Sequence, residues 1–302
     1  MTPANPTSTS NADAPSRRTT PTTTEKRALI ASDIDGTLLA TGQPPSQEVL
    51  DAVAAVRDAG HHLLLATGRS LPGALSAARE LGVTDGWLVA SNGAVVARLT
   101  SGSYSLVEVR NVDAEAVVRL VTTTRPDIRI AAEIVGTGYH VSQPFPPRTL
   151  NGNQVTVARR EDLWAEPTPR IALYGQYASR LVPALRAVGM TAIATRVDLV
   201  DVTAGSVSKA TAVEHLRQDL DIPIEHTVAI GDAENDIELL QWAWRGVAMG
   251  GAPESVLHAA DEVTGTIEQA GAAQVLRSYY PSAAITRVSH RVITAIPSGA
   301  QG

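Results

Sequence analysis

The 302-residue chain contains no cysteine. That absence excludes disulfides, thiolate zinc sites, iron–sulfur clusters and a cysteine nucleophile together. Lysine is almost missing as well: Lys26 and Lys209 stand against an otherwise arginine-based set of cations. No run approaches the roughly 18 consecutive apolar residues of a membrane helix, so no membrane partner is expected. Nor is there a basic excess: the formal net charge is −6, which disfavours a dedicated nucleic-acid binder. What remains is an ordinary globular balance, 44% hydrophobic and 19% charged, long enough for one large domain or two modest ones. The lack of cysteine suits the cytoplasm, the expected location.

Residues 1–27 are mostly Thr, Pro and Ser and carry too little apolar surface to offset the entropy of ordering. They are expected to form a disordered tail, and residues 286–302 a frayed one. Arg17-Arg18 is followed by Thr-rich sequence where an export signal has an apolar region, so no export is expected.

From Ala28 short apolar runs alternate with helical spacings. Ala28–Ser32, Leu63–Thr67 and Trp87–Ser91 read as strands; Val49, Leu50, Val53 and Val56 mark one helix, and Leu71, Leu75, Ala78 and Leu81 another. The alternation resumes beyond residue 200. Helices are expected over Ala210–Leu220, Ala233–Trp242 and Pro253–Ala260, with strands at Thr227–Ile230 and Val247–Met249. This pattern predicts an α/β fold, a Rossmann-like parallel sheet with helices on both faces, built from residues 28–93 and 203–285. Residues 94–202 read instead as an inserted α+β unit with a weak internal repeat. It would hold a strand at Tyr104–Val109, helices over Asp113–Thr123 and Ala178–Val188, a strand at Ile171–Tyr174, and hairpins over residues 128–142 and 191–202. Its Pro-rich segment Gln143–Arg148 reads as a surface loop, with His140, Phe145 and Arg148 as loop residues.

Four motifs carry chemistry. Asp33-Ile34-Asp35-Gly36-Thr37 follows the first strand, and residues i and i+2 of an extended segment face the same way. Two carboxylates together favour a bound divalent cation, or one raised pKa. Thr67-Gly68-Arg69 lies between a strand and a helix start, where hydroxyl and backbone amide make an anion site. Lys209 opens a helix, a poor position for a cation unless an anion compensates. Gly231-Asp232-Ala233-Glu234-Asn235-Asp236 again leaves a strand end, with Asp232 and Asp236 one helical turn apart as oxygen ligands. Each alone also fits a blander reading: a solvated turn, Thr67 as a plain cap, an exposed lysine, Asp232 as a helix cap.

In this order at the strand ends of one sheet, the four motifs resemble those of the haloacid dehalogenase superfamily of aspartate-nucleophile phosphatases. Ser91-Asn92-Gly93-Ala94, Gly246-Val247-Ala248-Met249-Gly250 and Ala260-Asp261-Glu262-Val263-Thr264 further resemble its Cof-like branch, which carries an α+β cap between the second and third motifs. The resemblance covers nearly all of residues 28–280. It implies a phosphomonoester phosphatase acting on a small phosphorylated metabolite, either a sugar phosphate or a cofactor-type phosphate. Asp33 would be the nucleophile, forming an aspartyl-phosphate, and Asp35 the proton donor and acceptor. Mg²⁺ would sit on Asp33, Asp232 and the backbone carbonyl of Asp35, with Asp236 in a supporting or direct role. Thr67, Gly68, Lys209 and Asn235 would hold the phosphoryl oxygens. Arg69 reads as an exposed helix-start residue or as a phosphate or core-bridging contact, and Asn92 as a substrate contact at the junction. Two alternatives stay open: a phosphomutase using the same aspartate, and a non-catalytic ligand-binding protein on this scaffold.

Overall fold

The computed structural model describes residues 27–280. The expected tails lie, apart from residue 27, outside the described residues. In chain order the elements are β1 (Leu29–Ser32), α1 (Gln47–Asp58), β2 (His62–Ala66), α2 (Leu71–Glu80), β3 (Gly86–Ala90), β4 (Val95–Thr100), β5 (Ser103–Val109) and α3 (Ala114–Thr124). There follow β6 (Arg129–Ile134), β7 (Gly138–Val141), β8 (Asn153–Thr156), β9 (Ile171–Tyr174), α4 (Val182–Ala187), β10 (Thr191–Arg196) and β11 (Leu199–Thr203). The chain then continues with α5 (Lys209–Asp219), β12 (Thr227–Gly231), α6 (Ile237–Trp242), β13 (Arg245–Ala248), α7 (Glu254–Leu257), β14 (Glu262–Val263) and α8 (Gly271–Arg277).

Two sheets result. The main sheet has eight strands in the order β14-β13-β12-β1-β2-β3-β4-β5, parallel from β14 to β3 and antiparallel at β4 and β5. Its central strands are buried on both faces, which is why they read as continuous apolar runs. Ile30, Leu63, Leu65 and Ile230 face α1, α2 and α8, where Val49, Val53, Leu71, Ala74 and Leu276 complete one core. Leu29, Ala31, Leu64 and Ala229 face the other way, onto Val213 and Leu216 of α5 and Leu239 and Leu240 of α6. Three of the α-helices start on a side-chain cap: Ser46 accepts from the Val49 amide at α1, Asp113 from the Ala116 amide at α3, and Ser208 from the Thr211 amide at α5.

The second sheet, in the order β10-β11-β9-β6-β7-β8, packs α3 and α4 on one face through Val117, Val121, Ile130, Leu173, Leu185 and Val202. Alternation sends Ala131, Tyr139 and Ala172 to the opposite face.

Several expectations are corrected. The strand at Tyr104–Val109, expected inside the insert, is β5, and with β4 it extends the main sheet; the boundary at residue 94 therefore falls too early by two strands. Hairpin pairing of β4 onto β3 extends the main sheet before the chain crosses over. The expected helices over Ala233–Trp242 and Ala178–Val188 each begin with a 3-10 turn, Glu234–Asp236 and Ala178–Leu181. The helix expected over Pro253–Ala260 is shorter, Glu254–Leu257. His140 lies in β7 rather than a loop. Phe145 is 5% exposed, because it packs 5.8 Å from the Tyr174 ring and against Ala131, Tyr139, Val141 and Ala172 on the face of the second sheet opposite α3 and α4, its amide donating to Gln154 Oε1.

Candidate active site

The four motifs converge at the carboxyl ends of β1, β2 and β12, which are adjacent in the sheet. Asp33 follows β1 directly, its amide donating to Ile230 O at 2.9 Å; Asp232 follows the neighbouring β12. Parallel pairing thus puts two carboxylates from residues 199 positions apart side by side. Gly36 makes this possible: its φ is +81°, and a Cβ there would collide with the Asp232 carboxylate. Thr37 Oγ1 donates to Asp232 Oδ1 at 2.8 Å.

Lys209 is 1% exposed, which removes the exposed-lysine reading. Its Nζ donates to Asp33 Oδ1 at 2.5 Å and to Asp236 Oδ1 at 2.6 Å. Asp236 is itself fully buried, and its other oxygen accepts from the Asp232 and Ala233 amides, both at 3.1 Å. Asp236 therefore shapes the turn that carries Asp232 and anchors the lysine as well.

Burial raises the Asp33 pKa well above the ordinary carboxylate range; Lys209 opposes the shift and the Asp236 and Asp232 charges add to it. Asp232 is pushed up to about 6, first by burial, against the Thr37 hydrogen bond and with a further rise from Asp236. Burial alone would lower Lys209, but Asp236 and Asp33 reverse this and hold the ammonium charged. Three carboxylates face one ammonium, an excess of negative charge that favours a cation. One oxygen each from Asp33, Asp232 and Asp236 lie within 4.8 Å of one another. An all-oxygen, carboxylate-rich set of this kind fits a hard divalent cation.

Arg69 is neither a free surface residue nor placed solely for substrate. Its Nη2 lies 2.6 Å from Asp35 Oδ1 and its Nε 2.7 Å from Oδ2. Thr67 is 1% exposed, with its Oγ1 accepting from the Arg69 amide at 3.1 Å. Asn92, 1% exposed, accepts from Asn235 Nδ2 at 2.9 Å and donates to Asp201 Oδ2 at 3.3 Å, so it links the second and fourth motif regions to the second sheet. Above these groups lies a cavity of about 750 Å³, lined from below by Asp33, Asp35, Gly68, Asp232 and Asn235 and from the second sheet by Asn151, Ile193, Thr195 and Arg196. Of the sequence-derived site residues, Asp33, Asp35, Thr67, Gly68, Arg69, Asp232 and Asn235 line this cavity, while Asn92, Lys209 and Asp236 are buried behind its wall.

Sequence reasoning missed Thr37 as the Asp232 partner, and it missed a buried group on the second sheet: Glu133, Tyr139, Arg170 and Asp201. The available signal was a lone charge within an apolar strand, Glu133 after Ile130-Ala131-Ala132 and Asp201 between Val200 and Val202.

Residues 30–166 and 171–276 match a family model described as haloacid dehalogenase-like hydrolase. A 5-amino-6-(5-phospho-D-ribitylamino)uracil phosphatase of Bacillus subtilis is 26% identical over 269 residues, covering 84% of this chain and 98% of that protein. A phosphoglycolate phosphatase of Natronomonas pharaonis is 30% identical over 237 residues, covering 78% of this chain and 91% of that protein. The crystal structure of a haloacid dehalogenase-like hydrolase from Bacteroides thetaiotaomicron shares the fold, with a TM-score of 0.71 at 22% identity over 84% of this chain and 100% of that one. Among the described residues no helix is long and apolar enough to cross a membrane. The family match runs through both sheets and every motif at their junction, and the chain belongs to the haloacid dehalogenase-like hydrolases, as an enzyme of that family.

Proposed function

We propose that the protein is a Mg²⁺-dependent phosphatase that hydrolyses a small phosphorylated metabolite through an aspartyl-phosphate on Asp33. The observation that carries this reading is the buried Lys209 ammonium, held between Asp33 and Asp236 at the floor of the cavity. A carboxylate approaching a phosphate dianion needs its repulsion cancelled, and phosphoryl transfer is largely positioning and electrostatics. Asp33, Asp232 and the Asp35 backbone carbonyl would hold Mg²⁺, with Asp236 supporting. Bound there, the ion supplies positive charge between the nucleophile and the phosphoryl group.

In the first half-reaction an Asp33 oxygen bonds to phosphorus as the bond to the leaving oxygen breaks, and Asp35 gives that oxygen its proton. In the second, Asp35 takes a proton from water, the water oxygen bonds to phosphorus, and the Asp33 carboxylate is released with inorganic phosphate. Thr67, the Gly68 amide, Lys209 and Asn235 hold the phosphoryl oxygens. The second sheet covers the site and limits its access to water.

The cavity volume favours a substrate of sugar-phosphate or ribityl-phosphate size over a two-carbon one. The phosphatase names of the two relatives support hydrolysis over phosphoryl return to the sugar. The test is release of inorganic phosphate from a panel of sugar phosphates, ribitylaminouracil phosphate and phosphoglycolate, with Mg²⁺ or with EDTA. Metal-dependent release from a sugar or ribityl phosphate is expected. Absence of release from every member, or full release in EDTA, overturns the reading.

A further inference from the structure

We propose that Arg170, a residue of the second sheet, is a positioning residue that sets the phosphate-binding turn at Thr67–Arg69. This inference rests on the phosphatase reading above. Its basis is the way that turn is held.

The turn has three carbonyls. Two are fixed from the main sheet's own side: the Asn92 amide donates to Thr67 O at 3.1 Å and the Ser91 amide to Arg69 O at 2.8 Å. The middle one, Gly68 O, accepts from Arg170 Nη1. The peptide that carries Gly68 O also carries the Arg69 N–H, which donates to Thr67 Oγ1 at 3.1 Å. With that lone pair engaged, the Thr67 hydroxyl is left to donate its own proton elsewhere. Among the described residues the Gly68 N–H meets no protein acceptor. Arg170 thus fixes the Gly68–Arg69 peptide plane, which orients the Thr67 hydroxyl, while the Gly68 N–H belongs to the preceding peptide, held at Thr67 O by Asn92; the two peptides meet at Gly68, so together they set the turn that would hold a phosphoryl oxygen. The same turn bears Arg69, which grips Asp35.

The guanidinium is itself rigidly placed. It is 4% exposed; Nε donates to Glu133 Oε2 at 2.9 Å, Nη1 to Asp201 Oδ2 at 3.1 Å, and Nη2 to the Tyr139 hydroxyl. Strand register explains the assembly: Glu133 pairs directly with Tyr139, and Asp201 with Ala172, so all present the same face. Glu133 in turn accepts from Ser91 Oγ at 2.9 Å. A burial this costly binds the two sheets together, and its planar fork meets four acceptors at once, a carbonyl, two carboxylates and a hydroxyl, one more than the three donors of a lysine ammonium could serve. A group serving only to clamp the sheets has no need to end on the middle carbonyl of the phosphate turn.

The experiment compares Arg170→Lys with the wild type in the presence of Mg²⁺, by steady-state kinetics on the best panel substrate and by calorimetric binding of inorganic phosphate. The expected result is a kcat at least tenfold lower and phosphate bound at least tenfold more weakly, with KM changed less than threefold and an unaltered circular dichroism spectrum. In Arg170→Ala, added guanidinium ion restores kcat while sodium chloride at equal ionic strength does not. A raised KM with kcat and phosphate affinity within twofold of wild type overturns the proposal and leaves the phosphatase reading standing. A wild type that hydrolyses no panel member overturns both. Should the Arg170 variants not fold, the isosteric Glu133→Gln removes one anchor of the guanidinium; kcat at least threefold lower supports the proposal, and full kcat overturns it.

Discussion

Arg69 binds both carboxylate oxygens of Asp35, at 2.6 and 2.7 Å, in a two-pronged ion pair at the mouth of the cavity. Such a fork fixes direction as well as charge. The hydrogen bond to Asp35 is also the first cause of the raised Arg69 pKa, so the guanidinium stays charged. The pair is half-open to water, and exposed pairs contribute roughly 0.2–1 kcal/mol to stability. Its consequence is therefore expected in turnover. Arg69→Ala lowers kcat about tenfold, a ~1.4 kcal/mol effect, and shifts the unfolding temperature by only ~2 °C. Thermal denaturation and phosphate-release kinetics on the same preparation check both parts; full kcat would leave Asp35 in no need of this partner.

Asp33→Asn is expected to abolish turnover without loss of stability. The amide is a poor nucleophile and a weak ligand for a hard cation. Burial and the neighbouring carboxylates already disfavour the Asp33 charge in the metal-free protein. Removing that charge relieves repulsion, while Lys209 keeps Asp236 as its partner. Melting in EDTA should place the variant at or above the wild type, and more than a few per cent of wild-type rate in a homogeneous sample would sink the nucleophile assignment.

The site's floor was legible because parallel strands announce their own carboxyl ends: an apolar run stops and Asp33, Thr67 or Asp232 follows. Local pattern and long-range position coincide there. They do not coincide at β4 and β5, whose sequences fit either sheet; pairing with β3 decides, and no residue within them encodes it. Glu133, Arg170 and Asp201 are invisible for a related reason. They come from three different strands, β6, the approach to β9, and β11, and meet only through register. Phe145 misled because prolines around an aromatic suggest a surface loop, whereas its burial depends on Tyr174 from a distant strand.

Metal affinity should depend on pH through Asp232. Burial pushes its carboxyl up to about 6, above the ordinary aspartate range. A raised carboxylate contributes stability that is fully present below the unfolded pKa and is lost as pH rises through the folded one. The metal-free protein is accordingly strained at this site at neutral pH, and a divalent cation relieves the strain by binding the ionised form. At pH 7.5 saturating Mg²⁺ is expected to raise the unfolding temperature by ~5 °C or more over EDTA. At pH 5 the increment should nearly vanish, the apparent dissociation constant rising roughly tenfold per pH unit once protons compete. Scanning fluorimetry across pH checks this, and Asp232→Asn should remove the Mg²⁺ increment at every pH. An increment of equal size at pH 5 and pH 7.5 would exclude Asp232 as a ligand.

Lys209 is expected to serve both the chemistry and the fold, and the two roles separate experimentally. Its ammonium has no exposed surface and lies between Asp33 and Asp236, which are 6% and 0% exposed. Lys209→Ala leaves those carboxylates buried without a counter-charge, a loss of about 3–5 kcal/mol. At roughly 2–4 °C per kcal/mol for a chain of this class, the unfolding temperature should fall by ~10 °C in EDTA. Saturating Mg²⁺ neutralises the same carboxylates and should recover part of that loss. Turnover should not recover, because the ion cannot also stand where the ammonium meets the phosphoryl oxygens; losing one such contact costs roughly 10²–10³ in kcat. Lys209→Arg keeps the charge, but its wider fork overfills a closed site and its donors point elsewhere, so kcat should drop at least tenfold with a stability loss of about 1–3 kcal/mol. Calorimetric melting with and without Mg²⁺, beside kcat on the best substrate, reads both effects. Full kcat in either variant would remove Lys209 from the reaction and leave it a buried counter-ion for Asp236.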